Sequence, residues 1–436
     1  LGGGDGRNGG NTTIASTAST DASGRSGKSR IAAARLVIYD PAGPPRAIAL
    51  VSRIDIGRNP DLDVVIDDAR VSRSHAALVP RRAGEAWELH DLGARNGTWV
   101  NGGRISKHLL SNNDVIRVGS VTMIIEFGPI TAETVDAPGS VASVVVDREL
   151  HAAARLEAPI LLLGPTGSGK GYAASRIAER AGRRGRFVHI NCAELPRDLA
   201  AAELFGAVRG AYTGSVADRP GLIESADGGI VFLDEVGTLE PALQAKLLVC
   251  VEEGRVRRVG ATRSTSVDVR WIAATNVDVE RAIRDGALRE DLYFRLGGRV
   301  IQLRGLAQRR VDIIPTLCAL VGREDHRSFT PDALLALLTY PWPGNVRELI
   351  NFARMFPKEE QIWDLDDLPA ALTERRTVVA REPDAKPERE SRPSREELVA
   401  MLEQCGNNIS ELARRLKQHR TQVVRWLKYA GIDRDS

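Results

Sequence analysis

Three folded modules of different class are predicted for this 436-residue chain. An all-β sandwich comes first, then an α/β domain built round a phosphate-binding loop, then a small all-α module. Three observations carry this expectation. Short β-branched runs alternate with turn clusters from about residue 34 to 127. An apolar run, Ala158 to Leu163, enters Gly164-Pro165-Thr166-Gly167-Ser168-Gly169-Lys170 and leaves into a helix-prone stretch, Tyr172 to Ala181. Two short stretches that fit helices, Ile409 to Leu416 and Arg420 to Leu427, flank Lys417-Gln418-His419.

Composition bounds the rest. Apolar content of 43% is enough for real cores. The net charge of +3, from 60 basic and 57 acidic side chains, excludes a generic polyanion binder, so any nucleic-acid surface must be local. Cys192, Cys250, Cys318 and Cys405 are scattered with no CxxC pair, which argues against structural zinc or a disulfide framework and fits a reducing cytosol. No apolar run has membrane-spanning length, so a cytoplasmic protein without a membrane partner is expected. Residues 1–30 are mostly small and polar and cannot offset chain entropy, so a disordered tail is expected there.

The β module is expected over residues 31–128, with strands at Arg35–Tyr39, Ala47–Val51, Val64–Ile66, Ala76–Val79, Trp87–His90, Thr98–Val100, Asp114–Val118 and Thr122–Phe127. Function on such a scaffold sits on loops at one end. Three loops stand out: Gly57-Arg58, Ser72-Arg73-Ser74-His75, and Arg95-Asn96-Gly97-Thr98 followed by Val100-Asn101-Gly102. In order and spacing these motifs resemble the forkhead-associated (FHA) domain, a phosphothreonine reader. A phosphate dianion wants a forked cation and hydroxyl donors, which Arg58 and Ser72 supply. Asn96 can hold the ligand backbone through its two-sided amide, and Arg73 adds charge. The resemblance implies that His75 braces the loops and does not bind phosphate.

A linker is expected at residues 129–140 and the α/β domain at 141–372, with strands at Ile160–Leu163, Phe187–Asn191, Ile230–Leu233, Val269–Ala274 and Val300–Gln302. In the loop from Gly164 to Gly171, glycines let consecutive backbone N–H groups close round an anion. The helix N-terminus and Lys170 add positive charge, so a nucleoside triphosphate site is expected. Ile230-Val231-Phe232-Leu233-Asp234-Glu235 is an apolar strand ending in two carboxylates. Asp234 suits Mg²⁺ and Glu235 suits activation of the attacking water.

Longer stretches then bring a family into view. Phe187-Val188-His189-Ile190-Asn191-Cys192-Ala193, Glu203-Leu204-Phe205-Gly206, Gly210-Ala211-Tyr212-Thr213-Gly214, Ala273-Ala274-Thr275-Asn276, Leu288-Arg289-Glu290-Asp291-Leu292-Tyr293 and Trp342-Pro343-Gly344-Asn345-Val346-Arg347-Glu348-Leu349 occur in order. Together they resemble the AAA+ P-loop NTPase domain of bacterial enhancer-binding proteins, the activators of sigma-54 RNA polymerase. The resemblance implies ATP and Mg²⁺ as cofactors. It makes Asn191 a switch that holds Glu235, Asn276 a γ-phosphate sensor and Arg347 a lid sensor. Arg289 and Arg295 become arginine fingers that act in a neighbouring subunit, which implies a homo-oligomer, a hexamer by analogy. Gly210, Ala211, Tyr212, Thr213, Gly214 and Ser215 fall at the sigma-54 contact loop, with Tyr212 for the usual Phe and Ser215 for the usual Ala. Further departures are Gly171 in place of a Mg²⁺-binding hydroxyl, Pro165 for Glu, Arg304-Gly305 for a double proline, and a lid segment about ten residues short over Val311–Pro331.

Residues 373–393 read as a solvated Glu/Arg/Pro linker, and 394–436 resemble the Fis-type helix-turn-helix of the same activators. Leu398, Leu402, Leu412, Leu416, Val423 and Leu427 would form its core. Arg420, Thr421, Gln422, Arg425 and Lys428 lie on the expected recognition helix; Arg and Gln can pair bidentately with base edges, and Lys reaches phosphates. The expected whole is an ATP-dependent activator that binds upstream DNA, remodels sigma-54 RNA polymerase holoenzyme and is controlled through a phosphothreonine-bearing protein or kinase. Two other organisations stay open: a phosphopeptide-gated DNA-binding regulator whose nucleotide site is a structural switch, and an AAA+ machine acting on a different protein.

Overall fold

A computed structural model of the chain describes residues 32–81, 86–131, 135, 139–211, 216–355, 362–373, 395–405, 412, 415 and 427. The tail expected at residues 1–30 lies outside these. So do Tyr212, Thr213, Gly214 and Ser215, residues 374–393 of the linker expected at 373–393, and Arg420, Thr421, Gln422, Arg425 and Lys428, expected to contact DNA. The chain divides into two units, residues 1–380 and 381–436.

The β module has strands β1 (Ala32–Tyr39), β2 (Arg46–Ala49), β3 (Ile54–Gly57), β4 (Val64–Val65), β5 (Ala76–Arg81), β6 (Ala86–Asp91), β7 (Thr98–Val100), β8 (Gly103–Ile105), β9 (Lys107–Leu109), β10 (Val115–Val118) and β11 (Val121–Ile130). They form two sheets, ordered β2-β1-β11-β10-β7-β8 and β4-β3-β5-β6-β9. The eight strands read from the sequence are present, and β3, β8 and β9 are additional.

Period-two alternation decides what each face of the first sheet meets. Ala34, Leu36, Ile38, Ile116, Val118, Met123 and Ile125 point into the sandwich core. The intervening Val37, Tyr39, Val115 and Ile124 point the other way and join the apolar core of the lid. The module is therefore packed on the ATPase part and not strung from it. On the same sheet Arg35 is fully buried in an ion pair with Glu126 at 2.7 Å. Its guanidinium also donates to the carbonyls of Val135 and Gly139. The segment expected as a plain linker at 129–140 is thus held at its described positions, and β11 runs two residues into it.

The central domain has a five-stranded sheet: β12 (Ile160–Leu163), β13 (Phe187–Asn191), β14 (Ile230–Asp234), β15 (Arg270–Thr275) and β16 (Arg299–Gln302). The order is β13-β14-β15-β12-β16 and every pairing is parallel. Such a sheet is buried on both faces, which is why its strands read as continuous apolar runs. Helices α1 (Val141–Ala154) and α2 (Lys170–Arg180) cover one face. Helix α3 (Ala200–Phe205), α4 (Pro241–Glu253) and α6 (Glu290–Leu296) cover the other, with α5 (Val279–Arg284) between the last two in the chain. The lid contains α7 (Ile313–Val321), α8 (Pro331–Thr339), α9 (Asn345–Ala353) and α10 (Ala370–Thr373). Ser140 caps α1 by accepting from the Ser143 N–H, and Asp312 at the start of the lid accepts from the Ser140 N–H and hydroxyl.

In the second unit α11 spans Arg395–Gln404. Leu398, Leu402, Leu412 and Leu427, four of the six leucine and valine positions expected to form the small core, are buried.

Candidate functional site

The loop from Gly164 to Gly169 leaves β12 and turns into α2, as the strand–turn–helix reading requires. Gly169 precedes the helix with φ 103° and Gly167 takes φ 74°, both in the left-handed region that glycine adopts freely. A Cβ on Gly167 would lie 2.2 Å from the Gly344 carbonyl oxygen, so the lid closes directly onto this turn. By contrast, a Cβ on Gly169 or Gly171 would meet nothing within 4 Å, so the opposite side of the loop is open. The Ser168 hydroxyl is buried on the packed side of the loop, near Gly164 and Leu303, with no hydrogen-bond partner. An open turn of backbone N–H groups fits a bound phosphate chain.

Lys170 is almost fully buried. Its ammonium donates to the Gly164 carbonyl at 3.1 Å and lies 3.4 Å from Glu235 Oε1. Asp234 ends β14 and Glu235 follows at φ 55°, an uncommon conformation for a residue with a side chain. The turn sends the two carboxylates in different directions. Asp234 Oδ2 lies 3.7 Å from His189 Nε2, while Glu235 Oε2 accepts the Asn276 N–H at 3.2 Å. Asn276 also donates through Nδ2 to Thr166 Oγ1 at 2.8 Å. One asparagine therefore ties the carboxylate strand to the phosphate loop.

These groups share one cavity of about 780 Å³, lined by Thr166, Lys170, Asn191, Asp234, Glu235 and Arg347 among others. Asn191 stands beside Asp234 in the β13–β14 register. Its amide donates to Glu194 Oε1 at 2.6 Å, and among the described hydrogen bonds none joins it to Glu235. In this state Lys170 and Asn276 hold Glu235. Arg289 and Arg295 are exposed and line none of the described cavities. Arg289 pairs with Asp291 at 2.7 Å, and Arg295 reaches the Glu252 carbonyl at 3.5 Å. Of the expected sigma-54 contact residues only Gly210 and Ala211 are described, Gly210 exposed at φ 78° and Ala211 half-buried. Cys192, next to Asn191, is pushed up to about 12 by burial and by the two carboxylates, so it stays a neutral thiol.

A second cavity of about 560 Å³ adjoins the first through Gly169, Tyr172 and Val346. It lies between α1 and the lid and is lined by Ala142, Val146, Leu150, Leu303 and Arg309. Its apolar walls and size suit a flat heterocycle. The sequence reading did not include these residues. The available signal was the Ala142, Val146, Leu150 spacing of four, one face of a helix.

The lid's contribution is backbone-directed. The Val346 N–H donates to the Gly167 carbonyl at 2.9 Å and Asn345 Nδ2 to the Thr166 carbonyl at 2.9 Å. Arg347 is exposed over the first cavity.

At the end of the β module, hydrogen bonds join the three marked loops. The Arg58 N–H donates to the Ser72 carbonyl and the Asn59 N–H to the Arg73 carbonyl, both at 3.0 Å. Ser72 Oγ accepts the Arg95 N–H at 3.3 Å, and Asn96 Nδ2 donates to the Arg70 carbonyl at 2.7 Å. His75 is buried at the centre: Nδ1 accepts the Ser72 N–H at 3.1 Å and Nε2 lies 3.2 Å from the Gly97 carbonyl. Those partners demand the neutral ring protonated on Nε2, and burial lowers its pKa. Gly57 is forced by close approach, since a Cβ there would lie 2.4 Å from the Arg73 carbonyl. Arg58, Ser72, Arg73 and Asn96 thus converge on one rim. Among the described residues, no carboxylate pairs with Arg58 or Arg73.

Comparison with known proteins agrees with this geometry. Residues 139–303 match the Sigma-54 interaction domain, residues 309–385 the AAA+ ATPase lid domain and residues 54–119 the FHA domain. The Nif-specific regulatory protein of Azotobacter vinelandii is 38% identical over 286 residues, 63% of this chain and 55% of that one. The hydrogenase transcriptional regulatory protein HoxA of Cupriavidus necator is 44% identical over 224 residues, 50% of this chain and 46% of that one. The chain spans about half the length of these curated relatives. The crystal structure of NtrX from Brucella abortus in complex with ADP is 30% identical, covers 67% of this chain and 69% of that one, and superposes with a TM-score of 0.47. Over these stretches the chain carries a Sigma-54 interaction domain followed by an AAA+ ATPase lid domain, with an FHA domain before them.

Proposed function

We propose that this chain is an ATP-driven transcription activator working on sigma-54 RNA polymerase holoenzyme. The observation that carries the reading is the Thr166–Asn276–Glu235–Lys170 chain of contacts, which joins a phosphate loop to a carboxylate strand in one cavity. ATP with Mg²⁺ supplies a phosphoanhydride whose cleavage drives the motion. Lys170 and the loop N–H groups would hold the phosphates, and Asp234 would hold Mg²⁺. Glu235 accepts a proton from the attacking water after Lys170 turns from it to the phosphates. Asn191, one residue across the sheet, takes Glu235 in the alternate state. Asn276 senses the γ-phosphate and Arg347 reports it to the lid. Arg289 and Arg295, exposed and outside their own cavity, reach a neighbour's site in a ring, most simply a hexamer. The loop from Gly210 to Ser215 carries the motion to sigma-54. The FHA rim of Arg58, Ser72, Arg73 and Asn96 takes a phosphothreonine of a partner protein or kinase, and the C-terminal helix-turn-helix tethers the ring to upstream DNA through Arg420, Thr421, Gln422, Arg425 and Lys428.

The test traps the full chain with ADP and a metal fluoride and asks whether it captures sigma-54. Capture is expected. In parallel, Glu235→Gln should bind ATP normally and lose about a hundredfold or more in turnover. Wild-type turnover in that variant removes Glu235 from the mechanism. A second reading, a nucleotide-switched DNA-binding regulator, draws on the lid's direct grip on Thr166 and Gly167. It expects nucleotide binding with no capture of sigma-54.

A further inference from the structure

Two turn asparagines of the FHA domain grip the backbone that leads into the lid. Asn113 Nδ2 donates to the Gln308 carbonyl at 2.8 Å, and its Oδ1 accepts the Arg310 N–H at 3.3 Å. Arg310 closes the clamp: Nη1 donates to Asn101 Oδ1 at 3.1 Å and to the Asn113 carbonyl at 3.0 Å. Asn101 is itself fixed, donating to Asp114 at 2.7 Å and accepting the Val115 N–H at 3.0 Å. Both asparagines sit at left-handed turns, with φ 49° and 68°.

Arg309 lies between the two gripped positions. Its guanidinium donates to the Ser168 carbonyl of the phosphate loop at 2.9 Å and to the Arg304 carbonyl at 3.0 Å. It also approaches Asp312 and the Ser143 hydroxyl at 3.4 Å, and it lines the cavity beside the phosphate loop. A segment held at residues 308 and 310 leaves residue 309 little freedom. The clamp is half-buried, where hydrogen bonds to a charged group are worth more than at an exposed surface.

We propose that Asn101 and Asn113, acting through Arg310, are positioning residues for the nucleotide site: the FHA domain holds Arg309 against the phosphate loop. This rests on the nucleotide reading above. It makes the FHA domain a structural part of the ATPase and not only an appended reader.

The experiment uses the full chain, a fluorescent ATP analogue and steady-state phosphate release. Asn113→Gly keeps a left-handed turn that glycine adopts and removes the amide. Arg310→Ala removes the other half of the clamp, and Arg310→Lys keeps one donor. The first two should raise the analogue's Kd and the KM for ATP about fivefold to tenfold with kcat changed less than about twofold, and lysine should restore part of the loss. Phosphothreonine-peptide affinity should stay at the wild-type value, which a general loss of FHA structure would not allow. Unchanged Kd in folded Asn113→Gly and Arg310→Ala overturns the proposal while leaving the nucleotide reading intact. No binding by the unsubstituted chain overturns both. If the variants melt early, hydrogen exchange of the unsubstituted chain decides. ATP should then slow exchange at residues 308–310 and at Asn113 together, and no slowing at Asn113 overturns the proposal.

Discussion

Single residues at both sites are held by partners that leave one chemical state open. His75 is the clearest: it must accept at Nδ1 and donate at Nε2, so protonation breaks the Ser72 contact. Burial lowers its folded pKa below the unfolded value of about 6.5. A group depressed in this way stabilises the fold fully above the unfolded pKa and loses that contribution as pH falls toward the folded value. His326, buried at the FHA–lid contact, shifts in the same direction, chiefly through burial. The melting temperature of the chain should therefore drop between about pH 7.5 and about pH 5.5, and His75→Gln should flatten the slope. An unchanged slope in that variant would mean that His75 does not brace the loops through its neutral ring. Much of this scale was legible beforehand. Arg58, Ser72, Lys170, Asp234 and Glu235 stand where their motifs put them, because motif spacing in turns and strand ends maps directly onto geometry. The Asn191–Glu194 pairing was not legible. An amide's choice among nearby carboxylates is a contest of distances.

Elements meet the nucleotide site through backbone, and this is where substitution costs most. The N-terminal turn of α9 rests on the phosphate loop through Gly344, Asn345 and Val346. Gly167→Ala would drive a Cβ into the Gly344 carbonyl and place alanine at φ 74°. The lid must lift, and ATP affinity should fall about tenfold or more in a fluorescent-nucleotide titration. Normal affinity would show that the lid need not touch the loop. The carboxylate strand and the phosphate loop could be read from sequence as elements. The α1 face of Ala142, Val146 and Leu150 could have been, but its alternative as plain core is equally periodic. Only the lid's approach turns that face into a cavity wall.

For the whole molecule, the decisive feature is the shared core of FHA domain and lid. Tyr39 is buried there beside His326, with ring centroids 5.3 Å apart, and its hydroxyl donates to the Val311 carbonyl at 3.4 Å. Around it Val37, Val115 and Ile124 pack with lid residues such as Ile314 and Leu337. Arg117 and Asp332 close the edge at 2.7 Å. Tyr39→Ala should cost about 3–5 kcal/mol in denaturant unfolding, as for other large buried aromatics. Because the core is common, amides of β11 and α8 should lose hydrogen-exchange protection together. Separate loss would mean that the two domains unfold as independent units.

The sequence by itself determined that an FHA module precedes the ATPase domain, the phosphate loop, and the sheet that carries the ATPase chemistry. Each is written in local patterns: turn glycines, β-branched runs, and carboxylates at a strand end. It also held, unread, the sign that the FHA sheet is covered on both faces along β1 and β11, in the apolar runs Leu36–Tyr39 and Met123–Ile125. What covers that face, which asparagines grip the lid, and where Arg309 points were decided by tertiary structure alone. Those contacts join residues such as Asn113 and Gln308, distant in the chain and unremarkable in composition. Their value lies in where the packed sheets and helices bring them.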